Sequence, residues 1–179
     1  GEDGSDGISK ASYVRDEGEA IGRARFVHEK FRCDVVIEEY IDGRELYLSA
    51  LGHHRPTVFP PRELFFEQVP DGEPKIATYK TKWDSAYRER WGIYSDPAAE
   101  LRPGIGKKLA VAARIVYRAL KIRGFGRIDA RLTPDGEVVV IEANPNPSLA
   151  RDEDFAQSAA AAGIEYDALV QKVLDAALE

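Results

Sequence analysis

The chain has 179 residues, 44% of them hydrophobic, and 25 Lys+Arg against 31 Asp+Glu give a formal net charge of −6. That is globular composition with room for a real core, neither disordered nor membrane-like, and a net acidic chain is a poor nucleic-acid binder by bulk charge. No apolar run approaches the roughly 20 residues of a membrane span, and no signal-peptide pattern is read at the start. Cys33 stands alone and methionine is absent, which leaves neither a disulfide framework nor a cysteine zinc site.

The opening Gly1-Glu2-Asp3-Gly4-Ser5-Asp6-Gly7 is a small-residue loop, too polar and flexible for a strand. Ser12-Tyr13-Val14 is a short strand candidate. Asp16 then fits an N-cap with Glu19 three residues on, and Ala20, Ala24, Val27 and Phe31 follow at helical spacing. Val35 to Ile41 reads as a buried strand, Asp42-Gly43 as a turn, and Arg44 to Leu51 as its antiparallel partner. Within that partner Leu46, Leu48 and Ala50 share one face and Glu45, Tyr47 and Ser49 the other.

From Gly52 to Pro103 the pattern loosens. Val58-Phe59 and Leu64-Phe65-Phe66 are strand-like pieces between prolines, and Lys75 to Thr78 is placed to pair with one of them across Pro70-Asp71-Gly72. Tyr79 to Tyr94 is aromatic, basic and weakly periodic, which predicts a long loop, usually a functional one. Gly104 to Arg123 is an amphipathic helix with Ile105, Leu109, Ala112, Val116 and Leu120 as its buried stripe. Strands Arg127–Leu132 and Glu137–Asn144 flank Pro134-Asp135-Gly136, and helices around Phe155–Ala162 and Tyr166–Leu178 finish the chain. Antiparallel pairs beside segregated helices predict an α+β fold.

The sharpest chemistry lies on the late hairpin. Arg127, Asp129 and Arg131 share a strand face, and on the next strand Glu142 and Asn144 share another. Register decides whether these sets meet. A four-residue loop (Pro134 to Glu137) puts Asp129 opposite Glu142, and a two-residue loop puts them diagonal. A three-residue loop with a glycine bulge separates them onto opposite faces. Asp, Glu and Asn oxygens are hard ligands, suited to Mg²⁺ or Mn²⁺ bound with phosphate, and Arg127 can fork onto an oxyanion. A solvated sheet face with a surface ion pair is the plain alternative, but Glu and Asn followed by Pro145-Asn146-Pro147 is unusual surface design. Gly4, Ser5 and Gly7 suit a phosphate-covering loop without matching a P-loop. No Ser/His/Asp pattern or nucleophile elbow is present.

The order of these motifs resembles the ATP-grasp ligases, in their D-alanine–D-alanine ligase-like branch, over nearly the whole chain. The matching segments are Glu2 to Lys10, Val36 to Glu45, Lys80-Thr81-Lys82-Trp83, and Gly126-Arg127-Ile128-Asp129 followed by Ile141-Glu142-Ala143-Asn144. The resemblance implies an ATP-grasp C-terminal portion, residues 1–179, with antiparallel sheets and flanking helices. It implies a cytoplasmic ADP-forming carboxylate–amine ligase that works through an acyl phosphate on small substrates, amino acids or short peptides. ATP and two Mg²⁺ ions, or Mn²⁺, are the implied cofactors.

By position, Gly4, Ser5 and Gly7 would cover phosphates. Glu38 and the backbone of Glu39, Tyr40 and Ile41 would hold adenine, and Glu45 the ribose. Lys82 would neutralise phosphates from a mobile loop. Asp129, Glu142 and Asn144 would hold the metal ions, and Arg127 would stabilise the anionic transition state. The chain departs from the family at Pro145-Asn146-Pro147-Ser148, where the ligases have a Thr-x-Pro-Gly turn, so the acceptor pocket is differently built. The family's upstream lysine strand and N-terminal domain lie outside this chain; the expectation is half a ligase, inactive alone, whose complete form allows a homodimer. A nucleotide-binding module without ligase activity, and a ligase modifying a peptide terminus, are the alternatives.

Overall fold

The alternating run that begins at Arg44 becomes the central strand of a sheet in the computed structural model, which describes residues 5 and 7–178. Strand β1 (Arg44–Gly52) is flanked by β3 (Arg62–Phe66) on one side and β5 (Gly124–Leu132) on the other. The short β2 (Thr57–Val58) pairs with the far end of β1. The main path runs β4-β3-β1-β5-β6, with β4 at Ile93–Pro97 and β6 at Val138–Asn144. The helices are α1 (Glu17–Phe31), α2 (Tyr79–Trp83), α3 (Ser85–Trp91), α4 (Ile105–Ala119), α5 (Asp154–Ala161) and α6 (Tyr166–Leu178). This is the expected α+β arrangement. Among the described residues no helix is long and apolar enough to cross a membrane.

The chain divides into two units, Gly1–Asp42 with Phe66–Tyr94, and Gly43–Phe65 with Ser95–Glu179. In the second, the apolar face of β1 (Leu46, Leu48, Ala50) and of β5 (Ile128, Ala130, Leu132) packs against Ile105, Leu109, Ala113 and Tyr117 of α4. Each fully buried aliphatic side chain there contributes roughly 1.5–3 kcal/mol. The fully buried residues step by four from Ile105 to Tyr117; of the rest of the expected stripe Val116 packs half-buried against them, Ala112 is half-buried and Leu120 falls outside. Tyr117 pins that choice by donating its hydroxyl to the Gly52 carbonyl at 2.7 Å, and Leu120 is left 61% exposed past the helix end. On the other face, α5 and α6 cover only the Leu51/Phe125 end, through Phe155, Ala159 and Leu169. The remainder of that face carries the charged side chains Glu45, Arg62, Arg127, Asp129 and Arg131 among Tyr47, Leu64 and Val139.

The first unit corrects several expectations. Ser12-Tyr13-Val14 is not a strand; residues Lys10–Ser12 form a 3₁₀ turn. Helix α1 starts as expected, with the Asp16 carboxylate accepting from the Glu19 amide at 2.9 Å. Residues 35–41 form no strand, and Val36 and Ile37 are 79% and 65% exposed. Their apolar, β-branched composition favours a ladder, but the strand expected to pair with them is taken on both edges by β3 and β5. Lys75 to Thr78 pairs with no strand either. Tyr79 to Tyr94 is not a loop: it holds α2 and α3, capped by Thr78 and Asp84, and then the start of β4.

Asp42-Gly43 is likewise no hairpin turn. At φ +148° Gly43 lies against the end of β5, where a Cβ would meet the Leu132 carbonyl oxygen at 2.4 Å, so only glycine fits. Its own carbonyl accepts from Arg131 Nη1 at 2.9 Å.

Candidate active site

The β5–β6 hairpin is built with two irregularities that offset each other. Its loop is the three-residue Pro134-Asp135-Gly136, not the four-residue one: the Thr133 amide donates to the Glu137 carbonyl at 3.0 Å, and Gly136 sits at φ +86°. From that start Leu132 faces Val138, Arg131 faces Val139 and Ala130 faces Val140. Continued regularly, the ladder would bring Ile141 opposite Asp129 and turn Glu142 to the α4 face. Instead the register shifts between Asp129 and Ala130, Ile141 becomes the spare residue, and Asp129 faces Glu142 with Arg127 facing Asn144. A bulge of this kind re-aims every side chain beyond it. The expected apposition is therefore present, by a route the loop length alone would have ruled out.

On this face Arg62, Tyr47, Asp129 and Glu142 stand opposite one another on the adjacent strands β3, β1, β5 and β6. Arg127 reaches back along its own strand to grip Asp129 with Nε and Nη2, at 2.7 and 2.8 Å. Its guanidinium carbon lies 4.5 Å from the centroid of the Tyr47 ring, itself only 5% exposed. The Tyr47 hydroxyl donates to Glu45 Oε1 at 3.2 Å, and Glu45 Oε2 pairs with Arg131 at 2.9 Å. Arg62 Nε binds Asp154 at 2.9 Å, and Ser95 donates its hydroxyl to the same carboxylate. Burial alone would push the Arg127 guanidinium down, yet the Asp129 charge and hydrogen bonds hold it above its ordinary value. Burial, then the Glu45 and Asp129 charges, push the Tyr47 phenol well up. Arg127 is thus a fixed cation and Tyr47 a fixed neutral donor.

Asp129 is buried, Glu142 exposed and Asn144 half-buried. The Asn144 side-chain oxygen Oδ1 accepts from the Asn146 backbone amide at 2.9 Å, an Asx turn that holds the side chain just before the two prolines. Among the described residues no cluster of three His, Cys, Asp or Glu side chains suits a metal ion. The donor set here is two carboxylates and an amide. Each Asp129 oxygen accepts once from Arg127 and keeps a further lone pair. Such hard oxygen donors, short of a full shell, fit Mg²⁺, which keeps water and phosphate oxygens as its other ligands.

The remaining sequence candidates fall as follows. Glu45 lies on the polar face, inside its pair with Arg131. Gly4 lies outside the described residues. Ser5 (φ 64°) and Gly7 (φ 81°) belong to the first unit; Ser5 donates its hydroxyl to Ala77 O at 2.9 Å, and Arg23 Nη2 donates to Gly7 O at 2.8 Å. Glu38 and Glu39 are exposed, while Tyr40 and Ile41 are half-buried, and the Tyr40 hydroxyl accepts from the Lys75 amide at 3.1 Å. Lys82 is half-buried on α2. Sequence reasoning missed Tyr47, Arg62 and Asp154. The alternation of β1 did place Tyr47 beside Glu45, but nothing local tied either to Arg127, which is distant in sequence.

This fold is that of the ATP-grasp ligases. It superposes on the D-alanine–D-alanine ligase of Bacillus anthracis with a TM-score of 0.70 at 25% identity, over 92% of this chain and 49% of that one. It also matches the VanG D-Ala:D-Ser ligase of Enterococcus faecalis with a TM-score of 0.71 at 22% identity, over 96% and 46%. The sequence profile described as "D-ala D-ala ligase C-terminus" matches residues 2–175, and the chain belongs to that family. Among curated relatives, the D-alanine–D-alanine ligase of Haemophilus influenzae is 32% identical, over 99% of this chain and 54% of that protein. An uncharacterised protein of Sinorhizobium fredii, y4sG, is 28% identical over 98% and 49%. The chain thus spans about half the length of the relatives it matches.

Proposed function

We propose that this chain is the ATP-binding catalytic portion of an ADP-forming carboxylate–amine ligase. The observation that carries the reading is the apposition of Asp129 and Glu142 beside a charge-locked Arg127, in a chain of this family. Asp129, Glu142 and Asn144 would hold Mg²⁺, two ions as the family resemblance implies, or Mn²⁺ by the same chemistry. Bound MgATP supplies the phosphoryl group that activates a substrate carboxylate as an acyl phosphate, from which an amine displaces phosphate.

The chain's own groups do the positioning. Arg127 offers N–H donors to the oxyanion, and Lys82 offsets phosphate charge. Gly4, Ser5 and Gly7 would offer backbone amides to the phosphates, as the family resemblance implies. Glu38 and the backbone of Glu39, Tyr40 and Ile41 take adenine. Glu45 meets the ribose. Such chemistry rests on positioning and charge, without a covalent nucleophile.

The substrates are small molecules, amino acids or short peptides. The Pro145-Asn146-Pro147-Ser148 turn, unlike that of the ligases, argues for an acceptor other than D-alanine. A reaction that draws on ATP belongs in the cytoplasm, and a homodimer of the complete protein is compatible with it. The test is a screen of the complete protein for ADP release against panels of amino acids and dipeptides. Release that requires both a carboxylate and an amine supports the ligase; nucleotide binding with no amine-dependent release across a broad panel returns the chain to a binding module.

A further inference from the structure

The Arg127 guanidinium has five N–H donors, and Asp129 takes two of them. The other three point away from Asp129 and have no partner among the described residues. A guanidinium held along one edge can still rock about that edge. What stops it here is the Tyr47 ring, 4.5 Å away against one face. The ring is itself held at both ends: its backbone sits in the middle of β1, and its hydroxyl is tied to Glu45, which is tied to Arg131. No other described aromatic ring faces Arg127.

We propose that Tyr47 is a positioning residue for Arg127, its ring fixing the guanidinium plane so that the three outward N–H groups converge on the oxyanion. This deepens the ligase reading and rests on it for the identity of that oxyanion. The ring supplies the effect and the hydroxyl only braces the ring. Face and edge are then constrained by different residues, Tyr47 and Asp129, and neither replaces the other. A cation over a desolvated ring is held far better than one in water, where such contacts are weak.

The experiment has an arm that needs no turnover. In the ¹⁵N-labelled complete protein, the Arg127 Nε–H resonance, assigned by its loss in Arg127→Lys, is expected to be shifted upfield by the ring. The shift should persist in Tyr47→Phe and vanish in Tyr47→Leu. A wild-type resonance at the position of unstacked arginines overturns the proposal, even if Tyr47→Leu fails to fold. In the kinetic arm, Tyr47→Leu is expected to lower kcat for amine-dependent ADP release on the order of 10-fold, with KM for ATP within about twofold of wild type. Tyr47→Phe, which keeps the ring and releases only Glu45, should keep kcat within about twofold of wild type. Equal losses in the two variants, or a change confined to KM, overturn it. If wild type releases no ADP on any amine, the ligase reading falls, and the resonance arm still decides the role of Tyr47.

Discussion

On the proposed ligase reading Asp129 answers two demands at once: it neutralises a buried arginine and would present oxygen to a metal. Glu142, opposite it, would share the second. The two carboxylates should therefore separate in mutation. Asp129→Ala leaves Arg127 with an uncompensated charge at 14% side-chain exposure, and is expected to cost about 3–5 kcal/mol in urea unfolding. Glu142→Ala, on an exposed side chain, should cost less than about 0.5 kcal/mol. Both should abolish Mg²⁺-dependent nucleotide binding, read by calorimetry. Retention of that binding in Glu142→Ala would remove the metal assignment without any appeal to misfolding. Tyr117 makes a prediction in pH. It is fully buried, and burial raises its phenol from 10.0 to about 12. The folded state therefore keeps this proton longer than the unfolded chain does. Its contribution is complete below about pH 10 and declines as pH rises towards about 12. Urea midpoints should fall between about pH 9 and about pH 11 more steeply in wild type than in Tyr117→Phe. That variant forfeits about 1 kcal/mol at every pH with its bond to Gly52.

The β5–β6 hairpin shows what a sequence hides at the scale of elements. Both strands and the proline-glycine turn were legible from alternation and turn chemistry, and so were the caps at Asp16 and the helices of the C-terminal third. The pairing of Asp129 with Glu142 was legible only as one of several registers, because a bulge leaves no local mark: Val138-Val139-Val140-Ile141 reads as uniform strand. Residues 35–41 failed for the opposite reason. Their composition is that of a strand, but a strand exists only with a partner, and β1 takes its ladders from β3 and β5, which lie elsewhere in the sequence. α2 and α3 were hidden by their short length and weak periodicity, although Thr78, Asp84 and Gly92 mark their ends. The bulge yields an indel test. Deleting Ile141 should straighten β6 and still leave Glu142 opposite Asp129, with nucleotide binding kept. Inserting one alanine after Ile141 lets the ladder run regularly, with Ile141 opposite Asp129 and Glu142 carried one pair along to face Arg127, and should abolish binding. Binding that survives the insertion would mean that the hairpin does not set the site.

Across the molecule the two units differ in how much they bury. The second holds both apolar clusters. In the first, α1 has no buried residue, and Val36 and Ile37 are largely exposed. Local stability follows buried apolar contact, so hydrogen exchange should grade accordingly. Amides of β1 and β5 should open only with global unfolding, and those of α1 at least about 100-fold faster. Protection of α1 equal to that of β5 would contradict this. Chain coverage of about half of each relative makes the complete protein the proper subject for every activity measurement. One further consequence concerns how a ligand arrives. Arg62, Arg127 and Arg131 are each matched to a carboxylate, namely Asp154, Asp129 and Glu45, and Glu142 adds another. For all its arginines, this face projects no positive field, within a chain of net charge −6. A polyphosphate approaching it bare is not steered but repelled. On the ligase reading its counter-ions would travel with it, so on this face Mg²⁺ would serve the arrival of the nucleotide as well as its binding.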